Sequence, residues 1–362
     1  MALYNINGNE LATGSELSSS DVKTALIGAI ADGTVNLGSA IGATLAYNSP
    51  SETWETNMET AYQALLTAYK ESPNSAIPFF ITTDQHGRGI EPNRWLNNRD
   101  NDGMNMLNIN LGDTVTDVFN LTELNNILAR TKQIKNYVGV VGNHECKYSS
   151  ETMTDYELCR VYNTTNLDRR MNESSMNCFT VIDNLHNVKY VVVEDYVINA
   201  DGTDYEHGLT AEATEWLIRE MSEDDGYDIV LLKHWFLKLP NGGLYVDRTG
   251  TEDTASSSGY LEELTTLFIN RKNKTSGTYT DIDGVSHSYD FTGCRTDLLC
   301  ALHGHEHKEV YGYADQLLCY CADWLGNDYN CTFGLIDRGN GKLRVWIAGK
   351  TSVLDEFSMD LN

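Results

Sequence analysis

The chain has 362 residues, 41% of them hydrophobic, with 20 Tyr and 6 Trp, which is ample side chain for a sizeable packed core. Its 52 acidic residues against 26 basic ones give a formal net charge of −26, a surface that repels polyanions and argues against a nonspecific DNA or RNA coat. No apolar run reaches the roughly 18 to 20 residues that span a bilayer, and the N-terminus "MALYNINGNELATG" lacks the basic and apolar regions of a secretory signal. The expectation is therefore a soluble chain, cytoplasmic or presented on a virion.

Residues 1–50 are rich in Gly, Ala, Ser and Asn and nearly free of aromatics. They predict a separate leader, an attachment or oligomerisation segment, ahead of one catalytic domain over 51–362. From Trp54 to Glu71, "WETNMETAYQALLTAYKE" carries apolar residues at helical spacing and stops at "SPNS". Strand-like runs follow: "AIPFFITTD", "MLNINLGD", "NYVGVVGN", "NVKYVVVED", "YDIVLLKH" and "DLLCALHG". Helical segments lie between them: "LTELNNILARTKQIK", "TDYELCRVYN" and "TAEATEWLIREMSED". Short β-branched strands alternating with helices indicate an α/β domain around a buried, largely parallel sheet. The end, "CTFGLIDRGNGKLRVWIAG", predicts an antiparallel hairpin turning at "GNGK". Two polar, turn-rich inserts, 238–259 and 272–293, read as long surface loops or a small hairpin flap that walls a pocket.

Several strands end in side chains that bind metals. The first carries Asp84 and His86, the second Asp113, the third Asn143, His144 and Glu145, the fifth His234, and the last His305 and His307. In open α/β sheets ligands bind beyond the carboxyl ends of strands, so these groups are expected at one sheet edge. Positions i and i+2 of an extended segment point the same way, so Asp84 with His86, and His305 with His307, can grip one ion together. Gly112 and Gly142 leave room for close approach before Asp113 and Asn143, and Gly304 lets the backbone turn. Mixed carboxylate and imidazole donors suit Zn, Mn or Fe rather than Ca or Mg. Each short pattern is weak alone; the ordered set is strong.

D-x-H at 84–86, G-D at 112–113, G-N-H-E at 142–145, a strand-end His234 and G-H-E-H at 304–307 together resemble the signature of the calcineurin-like metallophosphoesterases, over roughly residues 76–350. The resemblance implies a sandwich of two mixed β-sheets flanked by helices, with a dinuclear centre at the sheet edge. It implies that Asp84, His86 and His307 hold one divalent transition-metal ion and that Asn143, His234 and His305 hold the second. Asp113 would bridge both, and His144 would be the catalytic residue that is not a ligand. Glu145 stands where the family often has Asp, in a supporting position. Two dications sharing a hydroxide of lowered pKa would attack a phosphomonoester or phosphodiester in line, with Mn the favoured metal. Two carboxylates and otherwise neutral ligands would leave such a cluster electropositive, so a phosphoryl oxygen has reason to dock within an acidic shell. The expected substrate is a small molecule or a surface polymer rather than duplex nucleic acid, and no other cofactor is implied. The start, "ALYNINGNEL", resembles leaders of phage tail-associated hydrolases, which suggests a phosphodiesterase acting on envelope polymers such as teichoic acids. The alternative is a non-catalytic binding or structural protein that keeps the fold within a larger assembly.

Other candidates have plainer readings. His303 closes its strand or donates a hydrogen bond that supports a ligand, and His186, His207 and His287, in polar loop-like contexts, read as solvent-exposed. Arg88 is near enough to the first motif to meet a substrate phosphate or a carboxylate of its own chain. The eight cysteines form no C-x-x-C, so a zinc ribbon is unsupported. Those inside apolar strands, such as Cys300 and Cys319, are expected as buried free thiols.

Overall fold

The computed structural model describes residues 3–4, 10–12, 53–87, 91–97, 99, 103–116, 131, 134–145, 168–171, 178–198, 205–253, 262–325 and 329–361. The chain divides into two units, Met1–Glu52 and Thr53–Asn362. In the first, β1 (Leu3–Tyr4) pairs antiparallel with β2 (Glu10–Ala12). The helices expected over 121–135 and 154–163, together with Arg88, Cys146 and Cys159, lie wholly or largely outside the described residues.

The second unit begins with α1 (Thr53–Glu71), β3 (Ala76–Thr82), α2 (Glu91–Asn97), β4 (Leu107–Asn110) and β5 (Tyr137–Gly139). There follow β6 (Asp168–Met171), β7 (Phe179–Asp183), β8 (Val188–Val192), β9 (Tyr196–Ile198), β10 (Tyr205–His207) and α3 (Ala211–Ser222). Next come β11 (Asp228–Leu232), β12 (Tyr245–Val246), β13 (Glu252–Asp253), α4 (Glu262–Lys272), β14 (Ser276–Thr280) and β15 (Ser286–Asp290). The chain closes with β16 (Leu298–His303), β17 (Val310–Ala314), β18 (Leu317–Cys321), β19 (Cys331–Asp337), β20 (Lys342–Ala348) and β21 (Val353–Asp360).

Two mixed sheets result. One has the order β21-β20-β19-β3-β4-β5, the other β13-β12-β17-β18-β16-β11-β8-β7-β6. Parallel pairing is confined to β3-β4-β5, at one side of the first sheet, and to β8-β11-β16-β18, in the middle of the second. Antiparallel strands complete both, so the sheets are less uniformly parallel than the alternation of strands and helices implied. The predicted terminal hairpin is β19–β20, with Asp337 opposite Lys342 across the turn.

The sheets pack face to face through one apolar layer. Ile77, Phe79 and Ile81 of β3 and Leu107 and Ile109 of β4 meet Tyr190 and Val192 of β8, Val230 and Leu232 of β11 and Leu302 of β16. The alternate residues Val191, Ile229, Leu231 and Ala301 face the other way, against Trp216, Leu217 and Met221 of α3 and Leu264, Leu267 and Phe268 of α4. Period-two alternation with both faces covered explains why these strands read as continuous apolar runs. On the outer face of the six-stranded sheet, α1 packs against β19, β20 and β21. There Phe333 meets Phe80 at 4.9 Å and Tyr62 at 6.3 Å.

The 238–259 insert is more than a surface loop. Leu239 and Tyr245 are buried in the core, and β12 and β13 extend the larger sheet. The 272–293 insert holds the expected hairpin, β14–β15, whose Tyr279 and Tyr289 point into the α3–α4 layer. No helix among the described residues is long and apolar enough to cross a membrane.

Candidate metal centre

Five parallel strands, β3, β4, β5, β11 and β16, end at one edge of the sandwich, and the loops that leave them carry every candidate ligand. Backbone pairing continues past the strand ends and fixes these loops to one another. Asp84 N donates to Gly112 O (2.9 Å), His86 N to Asp113 O (2.9 Å), and Gly304 N to His234 O (3.0 Å). The carboxyl-edge rule thus operates on both sheets at once.

The manner of convergence differs from the expected one. Neither Asp84 and His86 nor His305 and His307 lie on extended backbone. Asp84 (φ 51°), His86 (φ 45°), Asp113 (φ 51°), His305 (φ 75°) and His307 (φ 56°) all sit in the left-handed region. Such φ values are uncommon for residues with a Cβ and cost energy, which packing must offset. The strands stop at Thr82 and His303, and left-handed turns, rather than pleat alternation, aim the side chains. Glycine supplies clearance. A Cβ at Gly112 would lie 2.6 Å from His234 Nδ1, and one at Gly142 would lie 2.2 Å from Asp113 Oδ1.

Asp84 is fully buried; its Oδ2 accepts from Thr83 Oγ1 (2.6 Å) and from His305 N (2.9 Å), while Oδ1 lies 3.2 Å from His307 Nε2. His86 Nε2 is 3.1 Å from His307 Nε2. Asp113, 1% exposed, accepts from His144 N at Oδ1 (2.8 Å) and presents Oδ2 3.3 Å from His234 Nε2. His234 donates from Nδ1 to Leu111 O (2.7 Å). That bond orients the ring, so that once Nε2 gives up its proton its lone pair is directed at the site.

Around His234 Nε2 stand Asn143 Oδ1 at 3.0 Å, His305 Nδ1 at 3.3 Å and Asp113 Oδ2 at 3.3 Å. A single N–H could serve one of them. Three at once match ligand–ligand edges of a coordination shell, about 3.0–3.4 Å for bonds of about 2.1 Å. Three sets of donor atoms are close enough to hold an ion: Asp84, His86 and His307; His86, Asp113 and His144; Asp113, His234 and His305. The donor set fits divalent transition metals. The structure therefore brings together all seven predicted ligands and His144. His303 ends β16, fully buried, and belongs to none of these sets.

Electrostatics follow from burial and mutual charge. Burial opposes ionisation of Asp113, but His234 outweighs it and holds the carboxyl well below the usual range. Asp84 is likewise lowered against its burial, chiefly by the His307 hydrogen bond. Burial and the His234 charge press His305 down to about 3, which keeps it a neutral donor. His234 is raised to about 9 because Asp113 overcomes its burial. Glu145 is pushed up to about 7 by burial and then by Asp113. Its carboxylate accepts from Asp113 N (2.9 Å), Val115 N (3.0 Å) and Gly142 N (2.7 Å), which ties the β4 and β5 loops together. His144 Nδ1 donates to Thr116 O (2.7 Å), and its Nε2 lies 3.8 Å from Asp113 Oδ2.

Three histidines taken as exposed are not. His186 is 4% exposed and bonded to Asp183 Oδ2 at 2.6 Å; His207 is half-buried against Trp235, ring centroids 5.0 Å apart; His287 is half-buried and reaches Asp281 Oδ2 at 2.8 Å. Polar flanking sequence does not reveal cover supplied by distant segments. Cys300 and Cys319 are buried free thiols, as expected. Trp235 and Trp324, both against site imidazoles, carried no sequence signal: each falls in a short segment whose partner is remote in the chain.

No family model matches the chain, and no curated protein matches it. Among solved structures it is similar to a Staphylococcus aureus protein described as a 5′-nucleotidase (13% identity, TM-score 0.44, 79% of this chain and 54% of that one). It is also similar to phosphopantetheinyl hydrolase of Mycobacterium tuberculosis (12% identity, TM-score 0.32, 69% and 91%). A third is a Streptococcus pneumoniae protein described as a predicted phosphoesterase (9% identity, TM-score 0.30, 78% and 98%). The chain spans about half the length of the Staphylococcus aureus protein.

Proposed function

We propose that this chain is a metal-dependent phosphoester hydrolase with a dinuclear centre. The observation that carries the reading is the meeting of Asp84, His86, Asp113, Asn143, His234, His305 and His307, from five strand ends, with donor atoms at coordination-shell spacing. In this reading Asp84, His86 and His307 would hold one ion and Asn143, His234 and His305 the other, with Asp113 available to both. When bound, two dications supply Lewis acidity and a nucleophile from water near neutral pH.

The chain's own residues do the rest. Glu145 and the Leu111 carbonyl orient Asp113 and His234. His144, anchored through Nδ1, offers Nε2 to protonate the leaving oxygen of a phosphomonoester or phosphodiester. Residues 1–50 serve in this reading as an attachment segment outside the hydrolase, with virion presentation and polymeric envelope phosphodiesters as its fullest form.

Turnover of p-nitrophenyl phosphate and bis-p-nitrophenyl phosphate by the Mn²⁺-loaded protein, abolished in Asp113→Ala, is the expected result. Stoichiometric metal with no turnover on any phosphoester would overturn it in favour of a binding or structural protein.

A further inference from the structure

Two tryptophans flank the centre, one at each half. Trp324 lies flat on His307, with ring centroids 4.7 Å apart and planes 3° apart, and meets His86 edge-on at 6.4 Å and 64°. Trp235 lies over His305 at 3.7 Å and 40°, and meets His234 edge-on at 6.0 Å and 81°. Each indole therefore touches both imidazoles assigned to one ion and neither assigned to the other.

We propose that Trp324 and Trp235 are positioning residues, each fixing the ring planes of one half of the dinuclear centre, and that the Trp324 half is the one that exchanges its ion readily. The proposal rests on the dinuclear reading above. The terminal torsion of a histidine is broad, so backbone placement alone leaves an imidazole free to swing its lone pair off an ion. A planar ring in van der Waals contact removes that freedom before the metal arrives. Ligation also draws electron density out of the imidazole, and an electron-poor ring is attracted to the face of an indole.

The asymmetry comes from cover. Trp235 is 4% exposed and the His234 side chain 1%. Trp324 is half-buried, and the His307 side chain is 42% exposed. Water that must replace a departing ligand reaches His307 directly and His234 hardly at all.

The test is calorimetric titration of the chelator-stripped full chain with Mn²⁺, with metal content measured after dialysis. Wild type is expected to take up two ions. Trp324→Leu should hold one as before and the other roughly 10-fold or more weakly, the usual effect of removing a group that orients a ligand. Trp324→Phe, which keeps a flat ring, should restore most of the loss. Unchanged binding of the second ion shows that the variant is folded. A Trp324→Leu titration identical to wild type overturns the clamp and leaves the dinuclear reading standing. Equal weakening of both ions overturns the assignment of one indole to one half. Failure of wild type to bind any ion overturns both readings.

Discussion

Asp113 shows how much one residue asks of its neighbours. Its carboxylate is 1% exposed, accepts from His144 N and lies 3.3 Å from His234, while its own N–H is held by Glu145. Such a group tolerates no intrusion. In Gly142→Ala the new Cβ would fall 2.2 Å from Asp113 Oδ1 and 2.4 Å from Asp113 N. Neither atom can move without shifting the loop, so the variant should lose about 1–3 kcal/mol of stability and most of its metal. Denaturant unfolding and metal analysis of one preparation would check both. His144 asks for a different outcome. Given its proposed role as proton donor to the leaving group, its replacement in His144→Ala should lower kcat by about 10²- to 10⁴-fold with two ions still bound. Loss of an ion along with activity would instead make it a ligand.

At the scale of the element, α3 illustrates what local sequence controls. Thr210 caps it, accepting from Ala213 N at 3.2 Å, and Trp216, Leu217 and Met221 line its buried face. The helix covers the sheet layer behind β11, the strand that delivers His234. Thr210→Ala should cost about 1 kcal/mol and leave metal affinity unchanged, because the bonds Thr210 accepts, from Ala213 N and Thr214 N, stay within the helix. A fall in metal affinity would show that α3 sets the position of β11. The strand ends are different in kind. β3 and β16 stop where the backbone turns left-handed, and five of the seven predicted ligands have φ between 45° and 75°. The residues the motifs named meet at one edge, while the expected geometry, i and i+2 on extended backbone, is not the one observed.

For the whole molecule, pH and metal act on stability together. Asp84 and Asp113 have lowered folded pKa values, so their stabilisation is present above the usual carboxylate range and is lost as pH falls. Glu145 is raised from 4.5 to about 7 and His234 from 6.5 to about 9. Their contributions are complete below 4.5 and 6.5 and disappear as pH rises through the folded values. His305, His303, His86 and His207, all lowered from 6.5, act in the opposite sense, but only as pH falls below 6.5. The metal-free protein should therefore melt at a lower temperature near pH 9 than near pH 7. Divalent metal should reverse most of that alkaline loss, because ligation takes the neutral imidazole and offsets the crowded carboxylates. Thermal melts across pH, with and without chelator, would read this directly; an alkaline loss that metal leaves unchanged would count against the site.

The sequence alone determined which residue types stand at which strand ends, the α/β class and the terminal hairpin, since apolar periodicity and punctuation are local properties of the chain. It named Asp84, His86, Asp113, Asn143, His234, His305 and His307 because each follows an apolar run. Only the tertiary structure decided that two sheets share one edge, that left-handed turns aim the candidate side chains, and that His186, His207 and His287 are covered. The pairing of Trp324 with His307 and of Trp235 with His305 belongs to the same class. Burial, ring stacking and donor–donor spacing depend on segments brought together from far apart in the chain, and no local pattern encodes that distance.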